Sequence, residues 1–358
     1  MENSKNIALV VGATGITGSN LAQELISQGF ITYGLSRNPN NTIENLISIQ
    51  ADLLDVENLE KALENISPTH IYFTTWMRND TEEENIRINS ALVRNLLDVL
   101  SPKKSVKHVA LVTGLKHYLG PFEAYAKEGK LPETPVREEH PRLPLPNFYY
   151  AQEDEVYKAS ERDGFTWSIH RPHTVVGYAI GNLMNIASTL AVYASICKET
   201  GRKFIWPGSF EQWNGISDVT DARILAKQLV WASTTESARN TAFNITNGDV
   251  FRWKWLWKGL ADWFEIEAVD FENEIRPLEK EMENDQEIWK EIAQKYSLKE
   301  ENLNRLSSAW HTDLDLGRPL EVMCDMTNSR NLGFNEYQNT ERSFIDVFER
   351  LKAEKMIP

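Results

Sequence analysis

Seven residues, Gly12-Ala13-Thr14-Gly15-Ile16-Thr17-Gly18, constrain this chain more than any others. A short apolar run, Ile7 to Val11, precedes them, and a helical pattern through Leu21, Leu25 and Ile26 follows. Glycine at such a strand-to-helix junction permits a tight turn and lets the backbone approach a pyrophosphate. The helix N-terminus then stabilises the anion. The segment therefore predicts a dinucleotide site at the start of the chain.

The apolar periodicity beyond the turn predicts strands at 31–35, 46–49, 70–74 and 109–112, with helices at 55–66 and 82–100. Strand and helix alternating at this pitch predict an α/β fold, a Rossmann-type doubly wound parallel sheet with helices on both faces. Residues 114–148 are rich in proline and glycine and read as a long functional loop. A helix is predicted at 149–162, a sixth strand at 165–170, and further helices at 219–233, 253–264 and 344–352. The charged stretch 270–305 reads as surface-lying helices. At 358 residues the chain exceeds one minimal dinucleotide domain. The expected division is a binding domain over 1–180 and a smaller, mainly helical substrate lobe over 181–358, with about 203–250 returning to the first core.

Composition narrows the partners. With 38 Lys plus Arg against 52 Asp plus Glu, the net charge is −14, which disfavours nucleic acid and anionic membrane surfaces. No run of 18 apolar residues suggests a membrane span, and the few residues before the first strand leave no room for a signal peptide. A cytoplasmic protein is expected, with a homodimer left open. Cys197 and Cys324 have no metal spacing and read as structural thiols. His117, His170 and His173 read as core or anchoring residues, with no metal site. Asp218 and Asp221 read as caps of the helix at 219–233, Trp253, Trp255 and Trp257 as packing, and Glu279 to Glu291 as a solvated face. Trp206, Phe210 and Trp213 lie where a loop would cover substrate.

Glycines three and three apart resemble the short-chain dehydrogenase/reductase superfamily. Arg37 ends the second strand, where an NAD site usually places an acid on the ribose; residues 36–41 contain no acid. An arginine there clamps a 2′-phosphate, so NADPH is the expected cofactor. Asp52, after the third strand, is placed either for the adenine amino group or as a cap for the next helix.

Hydride transfer to a conjugated carbonyl leaves negative charge on oxygen, and a phenol beside an ammonium stabilises it. In that superfamily the tyrosine is followed one helical turn later by lysine. Here Tyr149 is followed at that spacing by Glu153, and Tyr150 by Asp154. The cation must come from elsewhere. Lys116, leaving the end of the fifth strand at the same sheet edge, is the candidate, with Thr113 a further hydroxyl and Lys158 a weaker rival.

Longer motifs carry a closer resemblance. They are Thr113-Gly114-Leu115-Lys116-His117-Tyr118-Leu119-Gly120-Pro121-Phe122-Glu123, Asn147-Phe148-Tyr149-Tyr150 with Glu153-Asp154, Trp167-Ser168-Ile169-His170-Arg171-Pro172, Thr75-Trp76, Ala194-Ser195-Ile196-Cys197-Lys198, and the segment from Phe243 to Phe251 with Trp253-Lys254. Together they resemble the progesterone 5β-reductase/iridoid synthase-like family over essentially the whole chain, most weakly over 270–335. The resemblance implies NADPH-dependent reduction of the C=C bond of enones and enals, with Lys116 and Tyr149 catalytic. It implies cofactor contacts at Gly12, Thr14, Gly15, Ile16, Arg37, Asp52 and Thr75. Gly18, Leu53, Trp76, Thr113, Tyr149, Pro172 and Val175 complete the candidate cofactor set. The chain departs from the plant pattern at Asn38, Leu115 and His173, and the plant substrate helix aligns with Ala309-Trp310-His311-Thr312. Two other readings remain: a carbonyl reductase or nucleotide-sugar epimerase/dehydratase of the same fold, and a non-catalytic NADPH sensor.

Overall fold

The computed structural model describes residues 6–39, 42–121, 132–181 and 184–358. The first five residues, the middle of the 114–148 loop and Phe122-Glu123 of the resemblance motif lie outside these.

The first half builds a sheet and wraps it. In chain order its elements are β1 (Ile7–Val11), α1 (Ile16–Ser27), β2 (Ile31–Ser36), β3 (Ile47–Gln50), α2 (Val56–Leu63), β4 (His70–Phe73), α3 (Glu82–Leu100), β5 (His108–Val112), α4 (Lys116–Leu119), α5 (Phe148–Asp163) and β6 (Thr166–Pro172). The second half contributes β7 (Val175–Val176), α6 (Ile186–Thr200), β8 (Phe204–Ile205), α7 (Phe210–Asn214), β9 (Thr220–Asp221), α8 (Ala222–Thr234), β10 (Thr241–Ile245), α9 (Trp253–Phe264), β11 (Ala268–Val269), α10 (Leu278–Glu281), α11 (Asp285–Tyr296), α12 (Ala309–Leu316), α13 (Thr327–Asn331) and α14 (Thr340–Ala353).

Seven parallel strands run in the order β10-β6-β5-β4-β1-β2-β3. Strand order reverses at β1, so the turn after it opens at the crevice where such sheets bind ligands. Side chains alternate across each strand. Leu9 and Val11 face α2, α3 and α5, packing with Leu59, Leu92, Leu96 and Val156. Ala8 and Val10 face α1 and α8, packing with Leu21, Leu25, Leu225 and Leu229. A third cluster joins α6, α9, α11 and α14 around Trp206, Trp257, Trp289 and Phe344. Among the described residues no helix is long and apolar enough to cross a membrane.

Several local expectations are corrected. The helix predicted from 219 begins at Ala222, because Thr220 and Asp221 pair with Val175 and Val176 in a small parallel ladder. Asp221 caps α8 by accepting from the Arg223 amide. Asp218 does not; it accepts from the Cys324 amide at 2.8 Å and sits 2.7 Å from His173 Nδ1. Trp253 and Trp257, one helical turn apart, are buried, but Trp255 points to solvent at 62% exposure. Trp206 lies in the core against Trp213, Trp253 and Trp257 rather than over a ligand. Within the acidic run, Asp285 is buried and paired with Arg202 at 2.5 Å.

Candidate active site

The glycine turn is shaped by contacts that exclude side chains. Gly12 has φ +87°, and a Cβ there would lie 2.8 Å from Thr75 Cβ. A Cβ on Gly18 would lie 2.2 Å from the Gly12 carbonyl oxygen, so only glycine lets α1 pack this closely on the turn. The Gly12 amide donates to the Leu35 carbonyl at 2.9 Å, tying the turn to β2. Gly15 caps α1 without a side chain, leaving the helix's first N–H groups facing the turn. That cradle fits a pyrophosphate.

Beside it opens a cavity of about 310 Å³ lined by Gly12, Thr14, Arg37, Asp52, Leu53 and Thr75. Ser36, Asn38 and Met77 also line it, and no motif had marked them. Among the described residues Arg37 has no carboxylate at ion-pair distance, while its carbonyl accepts from Gln50 Nε2 at 3.0 Å. Asp52 is not the helix cap. Asp55 fills that role, accepting from the Asn58 amide, whereas Asp52 Oδ1 accepts from the Leu54 amide. Gly15, Ile16 and Gly18 form the turn itself. Val175 lies further along, packed with Ile16, Ala179 and Ala222.

The other end of the crevice is made of side chains. The 114–148 stretch holds a one-turn helix, α4, whose first residue is Lys116. Lys116 is 7% exposed. Its Nζ lies 4.7 Å from the Phe148 ring, 5.1 Å from Trp76 and 6.0 Å from Tyr149. Cation–π attraction favours an ammonium in this setting. Trp76 and Phe148 stack with centroids 5.1 Å apart. Tyr149 is also buried, and its hydroxyl would lie 3.4 Å from a Cβ on Gly114, beside the Pro172 carbonyl oxygen at 3.3 Å. Thr113 completes the group, its amide donating to the His170 carbonyl at 2.8 Å. The structure thus gathers Lys116, Tyr149, Trp76, Thr113 and Pro172. Lys158 is exposed and lies near Glu155.

Asn147 holds the two central residues in register. Its Oδ1 accepts from the Tyr149 amide at 3.0 Å, capping α5, and its Nδ2 donates to the Lys116 carbonyl at 2.7 Å. Glu82, opening α3, accepts from the Phe148 amide at 2.7 Å. An N-cap asparagine before Phe148 is readable from sequence; its second bond, 31 residues back along the chain, is not.

Tyr150 is occupied elsewhere. Its hydroxyl donates to the His117 carbonyl at 2.6 Å and accepts from the Leu143 amide at 3.0 Å. Glu153 is equally committed. It is 1% exposed, with Arg142 at 2.8 Å, Arg171 at 3.5 Å and His117 at 3.7 Å. Burial opposes its charge, yet attraction from His117, Arg171 and Arg142 outweighs burial and holds its carboxyl below the usual range. Asp154 takes the other arm of Arg142 at 2.8 Å. The two carboxylates standing where lysine is usual are therefore counter-ions of arginines, Glu153 of buried Arg171 and of Arg142, and Asp154 of Arg142 at the surface.

His170 is buried against Gln228, and His173 bridges Asp218 and Arg318. Among the described residues no group of three or more His, Cys, Asp or Glu side chains is arranged to hold a metal.

Sheet order, glycine turn and crevice together define a Rossmann-fold protein whose turn fits the pyrophosphate of a dinucleotide. Residues 36–358 match the family described as the PRISE-like Rossmann-fold domain. The (S)-8-oxocitronellyl enol synthase of Camptotheca acuminata is 38% identical, covering 99% of this chain and 94% of the relative. The 3-oxo-Delta(4,5)-steroid 5-beta-reductase of Arabidopsis thaliana is 37% identical, covering 100% of this chain and 94% of its own. The chain belongs to this PRISE-like family. A UDP-glucose 4-epimerase from Thermotoga maritima shares the fold at TM-score 0.65 and 14% identity, covering 97% of this chain and 99% of that one.

Proposed function

We propose that the protein reduces the activated C=C bond of enones or enals, using NADPH. The observation that carries this reading is the buried ammonium of Lys116, packed against the stacked rings of Trp76 and Phe148 near Tyr149, while Glu153 serves a different cluster. Two relatives, at 38% and 37% identity, are an (S)-8-oxocitronellyl enol synthase and a 3-oxo-Delta(4,5)-steroid 5-beta-reductase, names that support this reading. NADPH held along the crevice would supply the hydride that the substrate's β-carbon accepts. Gly12, Thr14 and Gly15 would receive its pyrophosphate and Arg37 its 2′-phosphate, with Asp52, Leu53 and Thr75 along the adenosine end.

Tyr149 donates a hydrogen bond to the carbonyl oxygen as it becomes an enolate. Lys116 stabilises the growing negative charge and lowers the cost of polarising the phenol. The buried rings of Trp76 and Phe148 exclude water from that charge, which strengthens both interactions. The enolate α-carbon then takes a proton from water.

Purified protein with NADPH and 2-cyclohexen-1-one should give cyclohexanone; an allylic alcohol would redirect the assignment to carbonyl reduction. Lys116→Met and Tyr149→Phe should each lower kcat by about 10²–10⁴, with NADPH affinity nearly unchanged by fluorescence titration. Full activity in both variants would remove the pair from the mechanism. NADH matching NADPH in kcat/KM would remove the 2′-phosphate role of Arg37.

A further inference from the structure

An arginine stands at this site without a carboxylate. Arg78 follows Trp76 by two residues, and its guanidinium carbon lies 3.5 Å over the indole ring of Trp310, on the first turn of α12. The chain carries 52 acidic side chains against 38 basic ones, and most of its arginines are ion-paired. Among the described residues Arg78 has no ion pair and no hydrogen-bond partner. Stacking fixes the plane of a guanidinium while leaving its in-plane N–H groups free to donate, which favours a planar two-oxygen acceptor over a point dipole.

A second observation lies beside it. The Nδ1 atom of His311, the residue after Trp310, is buried with no hydrogen-bond partner. Leaving such an atom unsatisfied costs about 1–3 kcal/mol, so a ligand atom that completes it has a ready gain. The nearby carboxylate, Asp315, is already engaged by Arg318, which also donates to His173 Nε2 at 2.6 Å. Burial holds the His311 imidazole below its ordinary range against the raising charge of Asp315, with the positive charges of Arg318, Arg78 and Lys116 adding to the effect of burial. Three cations and one carboxylate thus lie near His311.

Resting on the enone reading above, we infer that the substrate is an enone or enal carrying a carboxylate, which Arg78 binds through its paired N–H groups with His311 as a second contact. The carboxylate would lie at the α12 side, away from the carbonyl oxygen held by Tyr149 and Lys116. In the bland alternative, Arg78 merely covers Trp310.

The test compares 2-cyclohexen-1-one carrying a carboxymethyl arm at ring carbon 4 with its methyl ester, at low and high salt. For the wild-type enzyme, kcat/KM should favour the acid by about 10–100-fold, with the preference falling as salt rises. In Arg78→Met the acid-to-ester ratio should fall to about one or below. Arg78→Lys, which keeps the charge but not the fork, should lie between. Equal wild-type constants for acid and ester, or an unchanged ratio in Arg78→Met, would overturn the inference while leaving enone reduction standing. No turnover of the acid, the ester or unsubstituted 2-cyclohexen-1-one would remove the enone reading and this inference together.

Discussion

The two ends of the crevice are built from different material. The turn after β1 is backbone: seven contiguous residues whose carbonyls, amides and missing Cβ atoms make the cradle. The Lys116–Tyr149 end is side chain: it joins β4, α4, α5 and the end of β6, held by Asn147, Glu82 and the ion pairs of buried Glu153 with Arg171 and Arg142. A backbone site depends on close approach and tolerates almost any neighbour that keeps its distance. A side-chain site depends on every buried charge finding its counterpart, so its sensitive residues are those that touch no ligand at all.

The sharpest way to break that comparison is at Glu153. Glu153→Gln leaves Arg171, itself almost fully buried, facing a neutral amide. Removing one member of a buried ion pair costs about 3–5 kcal/mol, read as a lower unfolding free energy in denaturant. Glu153→Lys, which restores the spacing usual in the wider superfamily, should be worse, because it places a third cation against Arg142 and Arg171. A Glu153→Lys protein as stable as wild type would mean that the cluster does not hold this end together.

A second prediction concerns the sheet beneath the same end. His108 Nε2 and His170 Nε2 each lie 2.9 Å from Ser168 Oγ. His170 Nδ1 lies 2.8 Å from Gln228 Oε1, and His108 Nδ1 lies 2.9 Å from Thr166 Oγ1. With both rings neutral, His170 donates to Gln228 and accepts from Ser168, and His108 donates to Ser168; His108 Nδ1 accepts from Thr166 when that hydroxyl turns away from the Lys107 carbonyl, 3.1 Å from it. Burial pushes His170 down to about 4 and His108 to about 3. Unfolding releases them to ordinary histidine values, so the unfolded state binds more protons in between. Stability is thus complete above about pH 6.5 and falls as pH drops toward 4, by roughly 3 kcal/mol for His170 alone. Urea titrations at pH 7.5 and 5 should show the loss, and His170→Gln should reduce it, leaving the share of His108. A stability independent of pH over that range would contradict the neutral chain.

These elements also separate what the sequence makes legible from what it hides. The glycine turn, the strand alternation and α3 are local, and periodicity places them within a residue or two. Tyr149 and Lys116 follow from chemistry plus the topology rule that both leave the same sheet edge. The one-turn α4 escapes periodicity because four residues carry no period. The partners of Glu153 escape because Arg142, Arg171 and His117 come from three segments that only the folded chain brings together. Asp218 reads as a cap because it precedes a helix; its bonds to His173 and Cys324 cross 45 and 106 residues.

The glycine-turn end has its own exception: on the NADPH proposal a side chain, Arg37, rather than the backbone would set the choice of cofactor. Arg37→Ala should weaken NADPH binding about tenfold, the modest figure reflecting an exposed, solvent-screened guanidinium. NADH binding should change far less. Parallel loss of both cofactors would show that Arg37 supports the turn instead of reading the phosphate.

Asn147 joins the two kinds of construction, since it caps a helix backbone with one side-chain atom and fixes the Lys116 backbone with the other. Asn147→Ala should cost about 0.5–2 kcal/mol, the ordinary loss of an N-cap. If capping were all it did, kcat would follow stability and remain near wild type at low temperature. If it also keeps Lys116 in register with Tyr149, kcat should fall by an order of magnitude or more under conditions where the variant is fully folded, because small misplacements of a catalytic group are costly. Asn147→Asp separates the two roles. Aspartate still accepts from the Tyr149 amide, so the cap survives, but it has no N–H to donate to the Lys116 carbonyl. A folded Asn147→Asp enzyme with wild-type kcat would confine the residue to capping. A folded enzyme with reduced kcat and unchanged NADPH affinity would place it in the positioning of the lysine.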